Sequence, residues 1–248
     1  MVWGRPGEPP ISSDILKALA NSGNYVSGSF ADGKLAGGLV GWFGGVPPGE
    51  LHMHSHILGV VPGSAAHGMG FELKQHQRRW CLERGVKVME WTTDPLVRRN
   101  AYFNLIKLGA NARRYLVNVY GEMTDGINVG EESDRLLITW QLEAGPGLEP
   151  DLDKLRRDGA VDVLSVGDAG EPVAAGSTIS LARVLLCQVP EDIVALRRAN
   201  PSLAREWRMA LRRAFTAAIG AGYEVSGATR SGWYVLETGR ARAGRTFS

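Results

Sequence analysis

Cysteine is scarce in this chain. Cys81 and Cys187 are the only two in 248 residues, and they stand far apart in apolar or helical surroundings. That excludes a disulfide framework and fits two reduced, buried thiols in a cytoplasmic protein. No apolar run approaches the roughly 18 residues that a membrane-spanning helix needs. The first ten residues, MVWGRPGEPP, contain no apolar signal-peptide core, so no membrane partner is expected. Charge of neither sign is in excess. A formal net charge of +2 gives no global attraction to nucleic acid or anionic lipid. Neither GxxxxGK[ST] nor the dinucleotide-binding GxGxxG occurs, so the two best-known nucleotide cradles are excluded.

What is present is ordinary for a globular protein: 44% hydrophobic and 22% charged residues, in a chain long enough for one large domain or two small ones. Residues 11–21 read as a short helix capped by Ser12 or Ser13. YVSGSFADGKLAGGLVGWFG reads as two strands around an Asp32-Gly33 turn. A histidine-bearing strand follows at about 51–61, completing an antiparallel meander. A long helix is expected from Gly68 to Arg84, ended by Gly85, and then a strand in VKVMEWTT. A strand–helix–strand unit implies a parallel crossover. A second helix is expected from Val97 to Leu108, with strands in RRYLVNVY and RLLITWQL. EAGPGLEPDLD, 143–153, is rich in Pro, Gly and acid and reads as a linker. Beyond it come strands near 161–166 and 182–188, helices at about 190–199 and 202–220, and strands in YEVSG and WYVLE. The mixture predicts an α/β (α+β) fold with parallel and antiparallel strands. Exposed strand edges make a homodimer an expectation.

Two stretches carry the chemistry. In LHMHSHILGV, three of the five histidines, His52, His54 and His56, occupy every second position of a strand and so share one face. Such a row can offer two imidazoles to a metal, but zinc sites need three or four ligands. No second Cys/His cluster accompanies this one, so no metal is expected. A packed or exposed strand histidine is the plain alternative, best suited to His52. The other alternative is acid–base work, for which a group titrating near neutrality is suited. In VVPGSAAHGMGFELK a strand runs through small residues into a helix. Such a turn leaves backbone N–H groups free, and the helix start adds its own unpaired N–H groups and positive dipole end, a cradle for phosphate. A tight connection with no ligand is the alternative there.

The strand ending Leu58-Gly59-Val60-Val61-Pro62, the turn with Gly68-Met69-Gly70 and the long helix after it resemble the acyl-CoA-binding motif of the GNAT superfamily of N-acyltransferases. Three further signatures resemble one bacterial subgroup of that superfamily: WTTDPL at Trp91–Leu96, RNAYFNLIKLG at Arg99–Gly109, and YGEMTDGINVGEESDR at Tyr120–Arg135. The match covers residues 3 to about 142, and more loosely the rest through EWRMALRRAF and GYEV. It implies a GNAT core over 1–142 with a splayed parallel strand pair in its central sheet. It also implies a linker at 143–153 and a C-terminal α+β extension over 154–248. Relatives carry a further strand and helix ahead of the segment matched by Val2-Trp3-Gly4, so the expectation is either that the true start lies upstream or that the core lacks them.

The resemblance also implies a site. Leu58, Gly59 and Val60 would bind the pantetheine arm through their backbone. Ala65, Ala66, His67, Gly68, Met69, Gly70 and Phe71 would hold the pyrophosphate. Asn100 and Phe103, with the helix around them, would flank the thioester. Ala65 stands where relatives commonly have Arg or Gln, and Leu105 stands where they commonly have a tyrosine acid, with Asn104 beside it. The base in many relatives lies on the histidine strand. His54 and His56 fall there and share side-chain parity with Val60, so they are the expected proton relay. Glu90 and Asp94, at the second splayed strand, are candidates to bind the acceptor's ammonium or act as base; Asp94 ahead of Pro95 reads equally well as a helix cap. The co-substrate would be acetyl-CoA or another acyl-CoA, and the acceptor a small-molecule amine. A degenerate acyl-CoA binder, or an enzyme that hydrolyses or decarboxylates the acyl group, is the alternative.

Overall fold

The structure, a computed structural model, describes residues 9–45, 48–61, 68–121, 132–175 and 182–238. Ala65, Ala66 and His67 lie outside the described residues. The architecture is mixed α/β, as expected, and the chain falls into two compact units. One holds Met1–Thr92, Thr124–Val129 and Thr139–Ala144; the other holds Thr93–Met123, Gly130–Ile138 and Gly145–Ser248.

The first unit begins with α1 (Ser13–Asn21), capped by Ser12, whose hydroxyl accepts from the Ile15 N–H. β1 (Tyr25–Ala31) and β2 (Lys34–Gly44) form the expected hairpin. Asp32 and Gly33 both have positive φ, 51° and 73°, as a two-residue turn of the favoured twist requires. β3 (His52–Val60) pairs antiparallel with β2. α2 (Met69–Leu82) then crosses over to β4 (Val88–Thr93), which is parallel to β3. The crossover helix turns Leu73, Lys74, Gln77 and Cys81 inward. It covers Leu39, Met53 and Met89, all fully buried.

The second unit contains α3 (Arg98–Tyr102), a π-helical turn (Phe103–Lys107), β5 (Asn111–Leu116) and the first half of β6 (Arg135–Gln141). It continues with α4 (Leu152–Arg157), β7 (Val161–Val166), β8 (Pro172–Ala174), β9 (Val184–Gln188), α5 (Ile193–Ala199), α6 (Pro201–Gly220), β10 (Tyr223–Ala228) and β11 (Trp233–Thr238). Its strands run in the order β6-β5-β10-β11-β9-β7-β8; those of the first unit run β1-β2-β3-β4, followed by the second half of β6. Trp207, Leu211 and Phe215 of α6 are fully buried, and Phe215 meets Tyr234 edge-on at 5.2 Å. This is a favoured aromatic geometry.

The helix expected over 97–108 departs from its reading. It is α-helical only to Tyr102 and then widens, with the Leu108 N–H donating to the Phe103 carbonyl five residues back at 3.1 Å. The reason lies in the glycines that follow. Gly109 has φ +74°, and a Cβ there would strike the carbonyl oxygen of Gly145. Gly147 donates its N–H to the Ile106 carbonyl at 2.8 Å, and a Cβ on it would strike the Leu105 carbonyl. From Gly145 onward, therefore, the Pro/Gly-rich stretch is backbone packed closely against the π turn. It ends by capping α4 through Asp151, which accepts from the Lys154 N–H at 2.9 Å. One junction between the two units, Ala144 to Gly145, falls inside that stretch.

Candidate active site

β3 and β4 are paired only at Met53 with Met89 and His54 with Glu90. Beyond that point no parallel pairing joins them among the described residues, although β3 runs on to Val60 and β4 to Thr93. The two strands thus open into a wedge with its vertex just past His54 and Glu90. On its other side β3 stays paired with β2. Val61 donates to the Ala36 carbonyl at 2.8 Å, and alternate residues of an antiparallel strand aim their N–H and C=O at the same neighbour. Leu58 and Val60 accordingly direct their backbone away from β2, toward the open side.

A β-bulge changes the expected parity. The ladder pairs Gly41 with Ser55 and Val40 with Ile57, so His56 is the extra residue. Ser55, ahead of the bulge, points to α2, where it contacts Gln77. Leu58 and Val60, beyond it, also point to α2, lying 3.6 and 4.0 Å from where a Cβ on Gly70 would stand. His54 and His56 lie on the opposite face against Trp42, with ring centroids 5.0 and 4.6 Å from it. The histidines therefore do not share a face with Val60. Simple alternation fails because one inserted residue resets it.

On that face His54 Nε2 and His56 Nδ1 are 3.3 Å apart. Burial beside Trp42, and then the neighbouring His56, His52 and Lys74, lower the His54 pKa from 6.5 to about 4. Burial lowers that of His56 as well. Both rings are neutral at pH 7. In a neutral pair the contact uses one N–H and one lone pair, leaving one of each at the outer ends. Such a pair can pass a proton along but holds one poorly. Glu90, across from His54, accepts from the Thr139 hydroxyl at 3.0 Å and faces His52 Nε2 at 3.8 Å. An apolar cavity of about 320 Å³ continues the face, bounded by Pro10, Ile11 and Leu16 on one side and Val40, Ile57 and Gly59 on the other.

Asp94 requires a correction. It belongs to the second unit and is buried, with Arg208 donating to both carboxylate oxygens at 2.8 and 2.9 Å and Arg197 to one at 2.7 Å. Its Oδ1 also accepts from the Leu96 N–H at 3.0 Å, a turn ahead of α3; the N-cap of that helix is Val97, so Asp94 is not the helix cap either. Burial alone would raise its pKa, but the two guanidiniums outweigh that and hold it far below the usual carboxylate range. A carboxylate so engaged is neither a base nor an open ammonium site. Asn100, Phe103 and Asn104 also lie in the second unit; Asn104 is buried in the π turn, with its carbonyl accepting from the Ala110 N–H at 3.0 Å. Of the expected phosphate turn, Gly68 is in the left-handed region at φ +92° and starts α2 without a side-chain cap. Its carbonyl accepts from Phe71 and Glu72.

Sequence reasoning missed Lys74. Its side-chain nitrogen is buried, donating to Ser55 Oγ at 2.8 Å, lying 3.8 Å from Met89 Sδ and 3.6 Å from the centre of the Trp91 ring. Ser55 in turn donates to Gln77 Oε1 at 2.8 Å. No carboxylate pairs with Lys74 among the described residues. Burial holds its pKa well below the ordinary lysine value. A signal was available: Lys74 and Gln77 fall at helical spacing with the apolar Leu73 and Cys81, which marks them as polar residues on a buried face.

No protein-family model matches the chain, and no curated protein matches it in sequence. Solved structures to which it is similar include Arabidopsis thaliana Naa50 in complex with the bisubstrate analogue CoA-Ac-MVNAL, at 17% identity and a TM-score of 0.43, covering 53% of this chain and 83% of that one. Chaetomium thermophilum Naa20 in complex with a bisubstrate analogue is 15% identical with a TM-score of 0.46, covering 58% and 85%. The ribosomal-protein-S18-alanine N-acetyltransferase from Escherichia coli is 18% identical with a TM-score of 0.43, covering 57% and 84%.

Proposed function

We propose that the protein transfers an acyl group, acetyl or larger, from acyl-CoA to the amine of a small molecule by direct attack. The wedge between β3 and β4 carries this reading. An open sheet position with backbone donors and acceptors along one side receives an extended amide-bearing arm as it would receive a strand. Leu58 and Val60 bind pantetheine in this way, while Gly59 between them directs its backbone at β2. Gly68, Met69 and Gly70, together with Ala65, Ala66 and His67, hold the pyrophosphate on N–H groups at the start of α2, whereas the Phe71 N–H is already given to the Gly68 carbonyl. The Gly68 conformation and the uncapped helix start support that role.

The acceptor approaches on the face of Trp42, His54 and His56. An alkylamine is protonated at neutral pH and must lose a proton before it attacks. Glu90 binds the ammonium, and the His54–His56 pair carries the released proton away. A lowered imidazole pKa suits a relay, because a proton does not rest there. The nitrogen lone pair then forms the amide bond, the C–S bond breaks, and the sulfur leaves with the electron pair. No covalent enzyme intermediate is needed. Cys81 is buried mid-helix with its pKa pushed up to about 12, unsuited to nucleophilic attack. We place the activity in the cytoplasm, where Cys81 and Cys187 stay reduced.

Calorimetry with acetyl-, succinyl- and longer acyl-CoA, followed by thiol release across a panel of amines, tests the reading. Replacing both histidines by Ala is expected to lower kcat/KM by about 10²–10³ and flatten its pH profile. Unchanged kinetics dismiss the relay. Failure of every CoA thioester to bind at millimolar concentration dismisses the whole reading.

A further inference from the structure

Lys74 is a buried ionisable group of the first unit that the transfer chemistry above leaves unused. Its position is specific. Ser55, one residue past the last β3 pairing, and Met89 and Trp91, on either side of Glu90 in β4, are its three contacts. The nitrogen thus touches both strands at the vertex of the wedge, on the α2 side. Its hydrogen bonds run in one direction, from Lys74 to Ser55 and from Ser55 to Gln77, and burial disfavours its charged form. Gln77 adds a second buried donor: its Nε2 has no hydrogen-bond partner among the described residues. The titratable neighbours are Cys81 on the same helix, un-ionised at neutral pH, and His54 across the sheet.

We propose that Lys74 meets the sulfur of CoA in the wedge and stabilises the leaving thiolate. This rests on the acyl-CoA reading. A buried amine without a counter-ion repels a second cation but favours an anion that arrives beside it, because the anion supplies the missing partner. In acyl-CoA the sulfur is uncharged, so nothing there offsets the burial that disfavours the Lys74 ammonium. When the acceptor nitrogen attacks, the C–S electron pair passes to sulfur. The proton lost by the acceptor reaches the Lys74 lone pair through the solvent of the cleft, making an ammonium opposite the thiolate. Transfer of that proton to sulfur yields free CoA thiol and restores the amine. Charge and protons balance over the cycle, and the group is strongest where charge develops.

The test uses the full chain with free CoA. Calorimetry first measures CoA binding by the wild type, by Lys74→Met, which fills nearly the same space without an amine, and by Ser55→Ala, which removes the partner that holds the amine. The ultraviolet absorbance of thiolate is then followed against pH for the bound CoA. The expected result is at least about tenfold more thiolate at neutral pH on the wild type than on Lys74→Met, one unit in the thiol pKa. Ser55→Ala is expected to lie between the two. Equal thiolate fractions on wild type and Lys74→Met, with CoA bound to both, overturn the proposal while leaving the acyl-CoA reading standing. Absence of CoA binding to the wild type overturns both. A purely structural role for Lys74 moves stability and affinity but not the ionisation of the bound thiol.

Discussion

In the unit that carries β3, one buried ionisable group is Lys74, which among the described residues has a hydroxyl, a thioether and an indole ring around it but no carboxylate. In the other unit, Asp94 is clamped by Arg197 and Arg208. Asp134 there accepts from Arg212, from the Tyr115 hydroxyl at 2.7 Å and from the Asn118 N–H at 3.0 Å. Both units face the same desolvation penalty and resolve it oppositely. One surrounds the charge with partners and keeps it. The other provides none, and burial there disfavours the charge. A fully partnered charge is fixed scaffold, because any change in its state breaks several bonds. A buried amine with no counter-ion remains free to change state when an anion arrives.

The largest expected effect follows from the clamped side. Asp94→Asn leaves two buried guanidiniums without their carboxylate and is expected to cost about 3–5 kcal/mol, read from urea unfolding. The carboxyl is held below its ordinary range in the folded chain, so the stability it adds is complete above about pH 4 and disappears as the pH falls further. Acid unfolding of the variant is therefore expected to be shallower than that of the wild type below that point. A loss under about 1 kcal/mol would show that the clamp does not stabilise the unit.

Asp134→Asn tests the same side with a smaller change. The amide keeps an acceptor for the Asn118 N–H but offers Arg212 a neutral oxygen in place of a charged one. A loss of about 2–3 kcal/mol is expected, the usual size for a hydrogen bond to a charged group. A loss as large as that of Asp94→Asn would mean that the partner count does not set the scale.

The unclamped side should respond with the opposite sign. Lys74→Met removes a buried amine that lacks a counter-ion and is expected to raise stability by about 1–2 kcal/mol near neutral pH. In the unfolded wild type this lysine binds a proton up to about pH 10.4, whereas burial makes the folded chain release it at lower pH. Wild-type stability is therefore expected to gain from this group as the pH climbs from the lowered folded pKa toward that value. Lys74→Met should lose that part of the slope. Destabilisation by the substitution, with the slope intact, would mean that the amine is charged and partnered in the fold.

The same contrast explains what could be read from the sequence. The meander, the crossover helix and the strand after it were legible because each is set by local periodicity and turn residues: Asp32-Gly33 at the hairpin, Gly85 after α2. The wedge was legible only through the resemblance, since loss of pairing between two strands leaves no local pattern. The bulge at His56 was not legible, because an inserted residue looks like any other until its partner strand is known. That one residue moved Leu58 and Val60 to the face opposite His54. The π turn was hidden for a related reason: the glycines that pack against it, Gly145 and Gly147, lie some 40 residues along the chain. Asp94 read as either cap or base, and what engages it instead is a pair of arginines about 100 positions away.

The smallest expected effect concerns His54, which sits between the two extremes, half-buried against Trp42 and touched by another imidazole. Its folded pKa near 4 comes first from burial and only then from its neighbours. A histidine that protonates late in the fold adds stability that is complete above about pH 6.5 and is withdrawn as the pH falls toward 4. Because the ring is partly solvated, that withdrawal is expected to be slight. The ring proton shifts in an NMR titration read it directly. A midpoint near 4 is expected for the wild type. Trp42→Ala, which opens the ring to water, should move it most of the way back to 6.5, and His56→Gln, which removes one neighbouring charge, should move it less. If His56→Gln moved it more than Trp42→Ala, the pair would be coupled by charge and not by burial. His54 would then belong with the partnered groups of the second unit rather than with Lys74.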